Sequence, residues 1–199
     1  MTRPVFFLIS ALTVCSAPIN AEEQTGRLVF ELKPYTSDFE LRRAEAREGE
    51  ELGLEWGFLP EQPNQLLVSG IPYVNWHVPN LKNRSSYGTQ QQVELRAGDY
   101  ALSCLWITPS VGFTAGGLLR KSAFVNVDVL HFTIKAGDTT VLEARTQLHK
   151  TNVALQKIIF RDIVVTVVDH GSSVAEAAIN ARTEKSVPWA DYAGPLKLP

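Results

Sequence analysis

The stretch V-E-L-R-A-G-D-Y-A-L, residues 93–102, decides the fold, and it has an echo at 132–141, F-T-I-K-A-G-D-T-T-V. Each reads as a strand, a turn holding Ala-Gly-Asp, and a returning strand. Val93 and Leu95 alternate with polar neighbours, and Tyr100 and Leu102 resume the alternation after the turn. A four-residue loop sets Leu95 opposite Tyr100 and Val93 opposite Leu102, with all four side chains on one face. The echo places Ile134 opposite Thr139 and Phe132 opposite Val141. Gly98 and Gly137 supply the positive φ that such loops commonly need.

Working outward, Arg27 to Lys33 reads as an opening strand stopped by Pro34. Two readings are open for the next stretch. Ser37 to Glu40 has capping-box spacing for a helix ending at Gly49. A turn over 47–50 would instead make a hairpin pairing Phe39 with Phe58 and Leu41 with Trp56, and these aromatic contacts favour the hairpin. Pro60 to Asn64 is a loop, and Gln65 to Val68 and Tyr73 to Val78 are strands. Pro79 to Gln92 is polar and reads as a loop. From Phe124 to Ile134 the apolar set moves from odd positions (Val125, Val127, Val129) to even ones (Leu130, Phe132, Ile134). That shift of parity predicts a bulge or a change of sheet near Leu130. Val153 to Val168 exceeds a typical single strand and is expected to bend or break near Arg161-Asp162.

From His170 the pattern changes. Ser173 and Glu176 have capping-box spacing, and Val174, Ala177, Ala178 and Ala181 follow a helical stripe, so a helix is expected to about Lys185, before Pro188. The tail beyond it, with Trp189, Tyr192, Leu196 and Leu198, is expected to lie extended against the body. The class predicted is all-β: an antiparallel β-sandwich, Ig-like or transthyretin-like, with one short C-terminal helix. Residues 22–169 form the sandwich and 170–199 the helix and tail.

The first 21 residues set the location. Arg3 precedes an apolar run from Val5 to Val14, and small and polar residues end at Ile19-Asn20-Ala21. This is the order of a secretory signal peptide, with cleavage expected after Ala21 and a periplasmic or secreted product. Val14 stands where a lipoprotein signal wants a small residue, so Cys15 is not expected to carry lipid. Only Cys104 then remains, and stability must come from packing rather than a disulfide. Apolar content of 45% and charge of 20% are those of a globular protein. The formal net charge of −2, one unit lower without Arg3, argues against nucleic acid or an anionic membrane as partner.

The order of these pieces resembles a group of uncharacterised bacterial exported β-sandwich proteins related to carboxypeptidase-regulatory-like and transthyretin-like modules. The matching stretches are Val93 to Leu102, Phe132 to Leu142, Ile163 to Asp169, Val174 to Ala181, and Pro188. The resemblance implies a non-catalytic module of the cell envelope.

Chemistry-bearing motifs are few. His77, His131, His149 and His170 show no metal-ligand spacing and no close hairpin spacing to a carboxylate, so no metal site is expected. Asp169-His170 with Ser172 and Ser173 lacks the strand-turn-helix elbow of a serine hydrolase. Gly112 and Gly117 have phosphate-loop spacing, but Leu118 stands where the lysine belongs. Cys104 shares a stripe with Tyr100, Leu102 and Trp106 and reads as a buried, inert thiol. Two surfaces remain as binding candidates. One is the face Tyr73, Asn75, His77, which combines aromatic area with hydrogen-bonding groups, as sites for a glycan or another envelope protein do. The other is the apolar loop bearing Phe113, Leu118 and Leu119. No cofactor is expected. The alternative to a binding or structural module is an envelope enzyme or enzyme inhibitor acting through loops at one sandwich end.

Overall fold

The structure, a computed structural model, describes residues 24–41, 53–71, 81–108, 122–153 and 156–194. Every regular element among them is a strand: β1 (Thr25–Leu32), β2 (Thr36–Ser37), β3 (Leu54–Leu59), β4 (Gln62–Ser69), β5 (Asn83–Ser85), β6 (Thr89–Arg96), β7 (Gly98–Ile107), β8 (Ala123–Ile134), β9 (Thr139–Val153), β10 (Gln156–Asp169), β11 (Ser172–Ala178) and β12 (Val187–Pro188). Sheet A runs β11-β10-β9-β1-β6, with β2 also on β9. Sheet B runs β12-β8-β7-β4-β3-β5.

The all-β sandwich holds, and the purely antiparallel pairing does not. β1 and β2 run parallel to β9, and β4 runs parallel to β7. The two Ala-Gly-Asp turns account for this. Neither closes a hairpin. β6 pairs with β1 in sheet A while β7 pairs with β4 and β8 in sheet B, so Ala97-Gly98-Asp99 carries the chain between sheets. Ala136-Gly137-Asp138 carries it back, from β8 to β9. The expected cross-turn pairs are replaced: Tyr100 faces Phe132 and Leu102 faces Leu130 across β7 and β8. Val93, Leu95, Tyr100, Leu102, Phe132 and Ile134 still converge on one interior, contributed by opposing sheets. Gly137 sits at φ +75° and Gly98 at φ +155°, conformations that a side chain disfavours.

Sheet A is buried on one face, and sheet B on one face and part of the other. On β1, Leu28, Phe30 and Leu32 are buried and alternate with more exposed neighbours. Phe30 stacks on Trp56 of sheet B with ring centroids 5.1 Å apart. In sheet B, Leu66, Leu67 and Val68 are all fully buried in succession, the mark of a strand covered on both sides. Leu59, Leu67, Leu105 and Val125 form a second cluster with Trp189, against which Tyr192 packs. The described part of the tail thus lies against the body, as its aromatic content suggests. Asn126 pins it, donating to the Ala181 carbonyl at 2.7 Å and accepting from the Ser186 hydroxyl.

The expected helix is a strand. Ser172–Ala178 pairs antiparallel with β10, after a tight turn in which His170 (φ +48°) and Gly171 (φ +78°) are both left-handed. Positive φ at both central residues is the hairpin geometry that matches strand twist. The alanines that suggest a helical stripe also satisfy alternation, with Ala175 and Ala177 packed on the core and Ile179 buried in it. β10 offers an unpaired edge, and pairing wins over weak helix signals. Nor does β10 break at Arg161-Asp162; its register with β9 is continuous from Gln156 to Asp169.

Elsewhere Phe58 pairs with Leu66, and Trp56 with Val68 and Asn83, rather than with residues 39–41. Phe39 follows β2 on the sheet A side, under the Lys150 ammonium at 5.0 Å. The polar stretch 79–92 contains β5 and the start of β6. The bulge expected near Leu130 is present: Leu102 faces Leu130 but Cys104 faces Asn126, and Asp128 adopts φ +52°. The signal peptide expected at 1–21, residues 42–52, the strand expected at 73–78 and the apolar loop expected around Phe113 to Leu119 lie outside the described residues.

Gly70 meets sheet B's neighbours at closest range. A Cβ there would stand 1.6 Å from the Trp106 ring, which is itself capped by the Arg161 guanidinium at 5.1 Å. Gly70→Ala is expected to destabilise by about 3 kcal/mol through overpacking. Gly137→Ala, which meets nothing within 4 Å, is expected to cost about 1 kcal/mol through its φ alone. Urea unfolding midpoints of the two variants check the order.

Candidate functional site

The outer face of sheet A carries the densest polar chemistry among the described residues. It arises because β1 leaves β9 and returns. Lys33 N–H donates to the Ala144 carbonyl at 2.9 Å. Pro34 has no N–H to continue the ladder, and pairing resumes with Thr36 opposite Gln147. Beside this break lies a groove of 480 Å³, lined by Lys33, Pro34, Thr36, Arg145, Val164 and Thr166 among others, with Asp162 and Glu176 at its margin. Thr146 also borders it, but its side chain shares the inward parity of Ala144 and Leu148, and its buried hydroxyl, with no hydrogen-bond partner among the described residues, faces the core.

One side of the groove is an ion-pair network. Lys33 Nζ lies 2.7 Å from Glu31 and 2.9 Å from Glu143, and Arg145 Nη2 lies 2.6 Å from Glu143. Hydrogen bonding to Glu31, then to Glu143, holds the Lys33 ammonium above its ordinary range. Partial burial pushes the Glu143 carboxyl up, and the combined hydrogen bonds from Lys33 and Arg145 outweigh it, leaving the group below the usual carboxylate range. Arg145 keeps 69% of its side-chain exposure, so its free N–H groups are open to a ligand.

The other side is held by a histidine. His149 Nδ1 stands 2.6 Å from Asp38 Oδ2, and Nε2 stands 3.0 Å from Asp162 Oδ2. The Asp38 hydrogen bond, chiefly, raises the imidazole above its ordinary value, and Asp162 adds to it. This corrects the reading that no histidine has a carboxylate partner across a hairpin: β9 and β10 pair His149 with Phe160, so Asp162 is its diagonal neighbour. The two carboxylates occupy opposite ring nitrogens and do not converge. Among the described residues, no group of three His, Cys, Asp or Glu side chains could hold a metal ion.

The remaining sequence candidates separate. Tyr73, Asn75, His77, Phe113, Leu118 and Leu119 lie outside the described residues. His170 Nε2 is 3.5 Å from Asp169 and 3.6 Å from Asp138, but Lys135 takes Asp169 at 2.6 Å and lowers its carboxyl. Ser173 sits in β11. His131 lines a second groove of 480 Å³ at the sheet B bulge, with Gln62, Asn64, Asp99 and Asp128. The Asp128 N–H there donates to Ser103 Oγ at 3.0 Å. Cys104 is fully buried, its thiol pushed up to about 12 by burial, as its stripe suggests. Glu143, Arg145 and His149 were readable as one outward face, since Leu142, Ala144 and Leu148 alternate with them. Lys33 and Asp38 join that face only through parallel pairing with β9.

Comparison of the chain with protein-family models, with curated proteins and with solved structures finds no match. Among the described residues no helix is long and apolar enough to cross a membrane.

The His149 contacts are pH-dependent with a defined sign. Because the folded imidazole is raised, its stabilisation is complete below the unfolded histidine value of about 6.5 and is lost as pH climbs through the folded value. An NMR titration is expected to place His149 above that reference. Asp38→Asn is expected to lower it more than Asp162→Asn does.

Proposed function

We propose that this chain is an exported, non-catalytic binding module of the bacterial cell envelope, and that the groove beside Pro34 takes an extended peptide segment of another envelope protein. The observation that carries the reading is the composition of that groove. It joins apolar surface from Pro34 and Val164 with charges of both signs held in place by neighbours. Pockets of this kind combine apolar area with a few fixed polar groups. Arg145, anchored on Glu143, presents planar donors to a carbonyl or carboxylate. Asp162 and Glu176 face a basic side chain. Export is supported by the order of residues 3–21, and a sandwich module by the two stacked sheets.

A photo-crosslinking residue at position 164, in cells exporting the full chain, is expected to capture a protein adduct, whereas one at the exposed Val127 of sheet B is not. An adduct at neither position, or equally at both, refutes the groove reading. Intact mass of the same purified chain is expected to begin at Glu22; an uncleaved leader refutes export by this route.

A further inference from the structure

Sheet A ends on β6, and the chemistry of that edge selects a partner. The strand pairs with β1 in unbroken register from Thr89 to Arg96 and pairs on its other side with none of the described residues. The strand has no bulge, no proline, no lysine and no inward charge; its two charged residues, Glu94 and Arg96, lie on the exposed face. The opposite edge of the sheet, β11, is guarded, since its ladder with β10 shifts register at Val167/Val168. Side chains on β6 alternate between exposed and half-buried, and Val93 and Leu95 rest on the core with part of their surface open.

Which backbone groups face outward follows from one bond. The Ala97 N–H donates to the Gln24 carbonyl at 2.8 Å. Hydrogen-bonded pairs alternate along an antiparallel ladder, so Leu95, Val93 and Gln91 direct their groups to β1. Gln90, Gln92, Glu94 and Arg96 direct theirs away from it. A second strand must therefore match even residue to even residue.

We propose that this edge pairs with β6 of a second copy of the chain, antiparallel, about a two-fold axis at Val93. That register sets Gln92 against Glu94 of the mate, Gln90 against Arg96, and Val93 against Val93, over seven residues. Each charged side chain meets an amide, no like charges stand directly opposite, and the half-covered valines close on each other. The two-fold about Glu94 would oppose two carboxylates. The two-fold about Gln92 sets Arg96 against Gly88, a turn residue at φ +76° that precedes the strand, so the ladder loses that outward pair at each end. Odd registers bring outward groups against residues whose own groups are already committed to β1. A single strand edge buries little area, so the dimer is reversible and concentration-dependent. The inference is independent of the groove on the sheet's outer face.

The test is sedimentation velocity of the mature chain across the micromolar range, with two variants at the exposed Gln92. Wild type is expected to move from monomer toward twice that mass as concentration rises. Gln92→Lys places a cation opposite Glu94 twice by symmetry and is expected to tighten the dimer about tenfold; Gln92→Glu opposes two carboxylate pairs and is expected to weaken it about tenfold. Weakening by both variants would move the axis to Gln92 and overturn the register. A monomer in wild type and Gln92→Lys at every concentration, or a dimer indifferent to both changes, overturns the proposal outright.

Discussion

The fold depends on β1 being held on both edges at once. Its even-numbered residues bond to β6 and its odd-numbered ones to β9, one neighbour antiparallel and the other parallel. The start of the strand also ties down both inter-sheet corners. Gln24 accepts from Ala97, Thr25 accepts from Gly137 at 2.8 Å, and Arg27 donates to Asp138 at 2.9 Å. The corners lie side by side, with the Thr133 hydroxyl donating to Asp99 at 2.7 Å. Two crossings between sheets at one end fix which strands of A lie over which strands of B. The Phe30–Trp56 stack joins the two layers inside.

Sheet B then has to be covered twice. Its inner face closes on sheet A, and part of its outer face is closed by Trp189 and Tyr192 at the end of the segment that leaves the core at Ile179. That segment is held by polar bonds as well as by Trp189. Asn126 is almost wholly buried, and its amide bonds to the tail satisfy groups that burial would otherwise penalise. Arg161 does the same between layers, donating to the Gly70 carbonyl while its guanidinium covers Trp106. These contacts fix the relation of β10 to sheet B.

The outer face of sheet A is different in kind. Its charges are partly exposed and arranged in networks, with Glu143 shared by Lys33 and Arg145, and His149 shared by Asp38 and Asp162. Such pairs add little stability where water screens them. Their effect is to hold side chains in position around a groove.

The sequence by itself determined what near neighbours decide. Alternation identified the inward set of Val93, Leu95, Tyr100, Leu102, Phe132 and Ile134. The parity change pointed to a bulge or a change of sheet near Leu130, and the structure has the bulge there, at Asp128; the stripe around Cys104 identified a buried thiol. These are legible because side-chain direction repeats every two residues along a strand. Only the tertiary structure decided that the Ala-Gly-Asp turns change sheets, that β1 and β4 have parallel neighbours, and that 172–178 is a strand. A glycine sets the local bend but not which edge the next residues will bond. A run of alanines fits either period until a neighbouring edge is open. The groove was illegible for the same reason. Asp38 and His149 stand 111 positions apart, and no local pattern records the register that brings them together.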